Sequence, residues 1–112
     1  MSKIILTKTF EIDNDKVSRI PTFFDMHGFK IDENLLNNYR FKRGSSLVAF
    51  YRFDIRRCPT TVDVTLIEGE DDKLQVMVTY EVNGKGLKKF SSRDCQKIMS
   101  EMESLALFVY SE

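Results

Sequence analysis

From residue 3 to residue 12 apolar and polar side chains alternate. Ile4, Leu6, Phe10 and Ile12 fall on one side, and Thr7, Thr9 and Glu11 on the other. A period of two is that of a strand with one buried face. Lys8 is the single break on the apolar side. Asp13, Asn14 and Asp15 then offer helix-start side chains, and Val17, Ile20 and Phe24 follow at helical spacing. Pro21 lacks an N–H and crowds the preceding turn, so the helix either bends there or starts at Ser18 with Pro21 in its first turn. Gly28 suits its end.

Residues 29–38 show neither period and read as irregular, with Asp32, Asn34, Asn37 and Asn38 among them. Alternation returns at Tyr39 and Phe41, against Arg40 and Lys42. Leu47, Ala49, Tyr51, Phe53 and Ile55 form a further apolar face, opposed by Val48, Phe50, Arg52 and Asp54. Residues 60–67 and 73–82 alternate most clearly and predict a hairpin closed by the acidic loop Glu68-Gly69-Glu70-Asp71-Asp72. Ser91, with Asp94 three residues on, predicts a capping box at the start of a last helix. The buried stripe of that helix is Cys95, Ile98, Met99, Met102, Leu105, Ala106 and Val109, with Lys97 and Glu101 as a weak pair on its outer side.

Strand, helix, strands, helix is an α+β order. One apolar face per element predicts a two-layer sandwich, with an antiparallel sheet of about five strands covered on one face by two helices. At 112 residues the chain fits a single α+β domain, 1–112, with one core.

Seventeen basic and seventeen acidic side chains cancel, so no overall charge drives the protein to nucleic acid. The distribution is uneven. Residues 39–57 hold six positive charges and one negative, and residues 58–84 hold one positive and six negative. Ile4-Ile5-Leu6 is too short for the apolar core of a signal peptide, and the longest apolar run, Leu105 to Tyr110, is too short to span a bilayer. Two cysteines outside any CxxC pair suit the reducing cytoplasm, and a membrane partner is not expected.

Candidate chemistry is sparse. His27, the only histidine, cannot make a metal site alone and suits a helix end. Cys58 follows two arginines, which would favour its thiolate, but has no adjacent base or resolving thiol, and Cys95 sits on the helical stripe. Gly84-Lys85-Gly86 with Lys88 and Lys89 could cradle an anion, although it matches no phosphate-loop pattern. The acidic loop lacks calcium-loop spacing. These residues assign no catalytic group, no metal and no cofactor, and they lean away from an enzyme.

Two surfaces remain. Tyr39, Arg40, Phe41, Lys42, Arg43, Phe50, Arg52, Arg56 and Arg57 combine cations for phosphates with rings that could stack on bases. Cross-strand pairing with the acidic half of the chain would cancel them. Leu107, Phe108 and Tyr110 exceed what one helix stripe needs. They either tuck under residues 29–38 or meet another chain. The leading expectation is a small non-enzymatic interaction module, binding a protein partner or forming a homodimer. The alternative is a nucleic-acid-binding domain using residues 39–57.

Overall fold

The computed structural model describes residues 3–44, 55–84 and 90–110. The hairpin legible in the alternation is its centre. Strand β4 (Thr60–Glu68) pairs antiparallel with β5 (Lys73–Asn83). Asp71 and Asp72 both take left-handed backbone, with φ of 56° and 58°, and Gly69 N–H donates to the Lys73 carbonyl at 2.9 Å. Aspartate tolerates that conformation better than most side chains, so an acidic loop can make this tight reversal. Val62, Val64, Val76, Val78 and Tyr80 on one face are fully buried. Each such side chain contributes about 1.5–3 kcal/mol by leaving water.

Strand β1 (Lys3–Asp13) pairs with β5 along its whole length, and β3 (Asn38–Arg43) pairs with β4. Residues 29–38, expected to be irregular, instead contain β2 (Lys30–Leu35), which forms a hairpin with β3. All six β2 residues are exposed, so no buried face imposes the alternation that would have revealed a strand. The order across the sheet is β1-β5-β4-β3-β2, with every pair antiparallel. The strand expected over residues 47–55 falls largely outside the described residues.

Among the described residues two helices cover one face. A 3-10 turn at Asn14–Lys16 precedes α1 (Arg19–Met26), so Pro21 occupies the first helical turn, where its missing N–H costs nothing. The end of α1 is locally encoded. Gly28 takes φ +84°, its N–H donates to Asp25 O, and Phe29 N–H reaches back to Phe24 O at 2.9 Å. This is the 6→1 and 5→2 pattern of a glycine-terminated helix, and Phe29 packs edge-on against Phe24, 5.2 Å between centroids. Helix α2 (Ser92–Tyr110) opens with the expected capping box. Asp94 accepts from Ser91 N–H at 2.8 Å, and Asp94 N–H donates to Ser91 Oγ at 3.3 Å. Ile98, Met102, Leu105 and Val109 are buried as expected, but Met99 is half exposed and Glu101 takes a place on the buried side.

Candidate functional site at the bare edge of the sheet

One row of inward side chains crosses all five strands: Leu6, Tyr80, Val62, Phe41 and Ile31. Tyr80 and Val62 are fully buried and Phe41 nearly so, yet Ile31 at the end of the row is 51% exposed. The reason is the length of α1. With Pro21 in its first turn and Gly28 just past its end, it has eight residues, and its Phe24 stacks on Phe41 of β3, 4.6 Å between centroids. Nothing among the described residues extends the helical layer over β2. Between the helix and the edge strand lies a groove of about 220 Å³ lined by Pro21, Asp25, Phe29, Ile31 and Phe41. Leu35 and Leu36 beyond it are 59% and 92% exposed.

The residues expected to form an interface lie near the opposite edge. Phe108 is partly buried against the core, its ring 5.9 Å from that of Phe23. Tyr110 packs near Phe10 and its hydroxyl donates to the Glu11 carbonyl of β1. Only Leu107 of the three points fully outward. Lys8 lines a small cleft with Leu6, Met99, Met102 and Glu103, its stem beside apolar groups.

The basic and aromatic segment is divided by its own strand. Tyr39, Phe41 and Arg43 pair with Val64, Val62 and Thr60 on the covered face, whereas Arg40 and Lys42 pair with Asp63 and Thr61 on the open one. Arg40 Nε donates to Asp63 at 2.9 Å, and its Nη1 lies 3.4 Å from Glu33. The hydrogen bond and charge of Asp63 hold the Arg40 guanidinium above its usual pKa. Lys42 lies 3.5 Å from Asp32. Phe50 and Arg52 are outside the described residues. Arg56 and Arg57 are exposed on a separate 3-10 turn, Ile55–Arg57.

That turn borders a second feature, a charged cleft of about 270 Å³ lined by His27, Arg43, Arg56, Arg57 and Glu101. Arg43 and Glu101 form a two-pronged pair at 2.6 and 3.1 Å, with side chains only 10% and 5% exposed. Arg43 also donates to the His27 carbonyl at 3.1 Å and lies 4.1 Å over the Phe29 ring. The Tyr80 hydroxyl and Arg43 Nε are buried with no hydrogen-bond partner in good geometry among the described residues. Burial and the nearby Glu101 charge push the Tyr80 phenol far above its usual range, so it stays neutral. Gly44 takes φ +92°, and a Cβ there would lie 2.2 Å from the Cys58 carbonyl oxygen. Only glycine lets the end of β3 approach residues 57 and 58 so closely.

The sequence reading placed Glu101 on the outer helix face with Lys97. Its spacing gave a contrary signal: Glu101 stands three residues after Ile98 and four before Leu105, inside the stripe, and a carboxylate there needs a cation. Cys58 is completely buried rather than presented on a loop, and no disulfide joins it to Cys95. Lys85, Gly86, Lys88 and Lys89 lie outside the described residues. At the far end of the sheet Asp13 pairs with Lys73 at 2.5 Å, which holds the aspartate below its usual pKa. Among the described residues no three histidine, cysteine or carboxylate side chains are placed to hold a metal ion, and no helix is long and apolar enough to cross a membrane.

No protein-family model matches the chain, and no curated protein is similar to it.

Proposed function

We propose that the domain is a non-enzymatic interaction module that takes up a protein strand along β2, supplied by a partner or by a second copy of the chain. The row ending in half-exposed Ile31 carries this reading. An edge strand presents one side of its backbone N–H and C=O groups to any extended segment that approaches. The groove beside Ile31 can receive every second side chain of such a segment, which is how added strands gain specificity. Covering Ile31 and Leu35 would gain about 2 kcal/mol per large side chain, offset in part by lost rigid-body freedom, so the association is of moderate strength.

The test is the pair Ile31→Lys with Leu35→Lys. Sedimentation of the wild type over a range of concentrations separates self-association from capture of a partner. Partners recovered from native extract by the wild-type chain should be lost by the double variant at unchanged fold. Equal recovery by both chains would remove β2 as the contact. For the nucleic-acid reading, Arg40, Lys42 and Arg43 each have a carboxylate partner, and Phe41 is buried away from the open face. That weighs against a continuous phosphate-tracking stripe, and unretarded short RNA or DNA at low salt would complete the case.

A further inference from the structure

We infer that the strand added along β2 is β2 of a second copy of the chain, paired antiparallel about a two-fold axis through Ile31. The inference rests on β2 being the contact, and it fixes the occupant. The apolar row Leu6, Tyr80, Val62, Phe41 and Ile31 stops at a half-exposed side chain. It continues with an apolar residue of the second copy only where Ile31 meets Ile31. The exposed apolar side chains Met26, Ile31, Leu35 and Leu36 all lie at the end of α1 or along this edge.

The charges of β2 select the same axis. Opposed residues of two antiparallel strands share a face of the sheet. Ile31 lies opposite Phe41 on the covered face, and Lys30 and Glu33 lie opposite Lys42 and Arg40 on the open one. Asp32, at the bulge, reaches the open face too, 3.5 Å from Lys42. An axis between Asp32 and Glu33 sets each carboxylate against the other in the second copy. An axis on Lys30, Asp32 or Glu33 sets that charge against itself. Like charges directly opposed are destabilising. An axis between Ile31 and Asp32, or between Glu33 and Asn34, opposes a covered-face side chain to an open-face one. An axis on Asn34 sets the Glu33 carboxylate against Leu35.

With Ile31 on the axis, Lys30 of each copy stands opposite Asp32 of the other. Within one copy Lys30 faces Lys42 and has no ion pair of its own among the described residues. The second copy therefore supplies both the missing carboxylate and the missing apolar neighbour. The ladder is short, from Lys30 to Asp32, because the bulge puts the next residues out of phase. Beyond it each strand carries Leu35 and Leu36 toward the end of α1 in the other copy, where Met26 is 66% exposed.

Oxidative trapping and sedimentation of the full chain test this. Opposed Cα atoms on the axis lie about 4.5–5.5 Å apart, within disulfide reach. Ile31→Cys should therefore form a covalent dimer under mild oxidation, above the background that Cys95 sets in the wild type. Leu35 would lie about 26 Å from its counterpart, at about 3.3 Å per residue, so Leu35→Cys should be trapped at least about tenfold more slowly. Lys30→Asp and Asp32→Lys should each raise the dissociation constant about tenfold at unchanged melting temperature, since each reverses two symmetric pairs. An equimolar mixture of these two variants should restore association, because opposite charges again meet across the axis. Equal trapping at both positions, or a mixture no tighter than its components, would overturn the axis. A wild type monomeric at every concentration would overturn the second copy as occupant. The β2 reading would still stand if partners captured from extract are lost by Ile31→Lys with Leu35→Lys. Self-association undiminished in that double variant would remove β2 itself.

Discussion

β1 and β2 are both outer strands, but the rest of the chain treats them differently. Along β1 the last turn of α2 brings Tyr110 beside Phe10, and the Tyr110 hydroxyl takes up a main-chain carbonyl of the strand itself, while Phe108 packs near Phe23 of α1. Lys8 adds an inward cation, which discourages a second chain from docking there. Along β2 there is no comparable device among the described residues. Its ion pairs, Asp32 with Lys42 and Glu33 with Arg40, run to the strand inside it and leave its outer side alone. At one edge the apolar end of the helix reaches the strand through Tyr110 while Leu107 stays exposed, and at the other edge the exposed apolar residues sit in a strand with no periodic signal.

Glu101→Ala should do the most damage. It leaves the Arg43 guanidinium buried without its carboxylate and should cost about 3–5 kcal/mol, read from urea unfolding. Both edges should loosen, because Glu101 ties α2 to β3 while the end of the same helix holds β1. A cost below about 1 kcal/mol would show that the pair is solvated in solution. Phe108→Asp should cost about 2–4 kcal/mol by placing a charge against Phe23, and amide exchange should rise first in β1 rather than β2. Faster exchange in β2 alone would show that the end of α2 does not hold β1.

Lys8→Leu sharpens the comparison from the other side. Stability should change by about 1 kcal/mol or less, while light scattering should reveal new self-association through β1, because an inward cation has been removed from an edge. The variant Ile31→Lys with Leu35→Lys should shift the unfolding free energy least, within about 0.5 kcal/mol per site, since both side chains are already exposed in the isolated domain. A large loss would mean that these residues are packed and that β2 is not bare.

How much could be read from the sequence depended on whether a residue's environment was local. The β4–β5 alternation, the Ser91–Asp94 cap and the Gly28 stop are each decided within a few residues, and each has the structure its chemistry dictates. β2 escaped because a strand exposed on both faces has no period to detect. Arg43 and Glu101 were both visible as charged residues. Their union across 58 positions requires knowing that β3 turns Arg43 inward and that α2 crosses it. The same lack of register left Tyr39 and Phe41 grouped with Arg40 and Lys42, although adjacent strand residues face opposite ways.

The sheet order also dictates a sequence of events during synthesis. β2 to β5 each pair with a neighbour in the chain, and the β2–β3 and β4–β5 hairpins close over short loops, while residues 44–59 connect β3 to β4. β1 is the exception. Its end at Asp13 meets Lys73, 60 residues later, and the strand has no partner until β5 exists. Long-range pairing of this kind is the slow step in a β-rich domain. During that interval Ile4, Ile5, Leu6, Phe10 and Ile12 form a nascent strand open to other chains. Lys8, midway along it, places a charge in that apolar strand, the position at which a gatekeeper residue opposes aggregation.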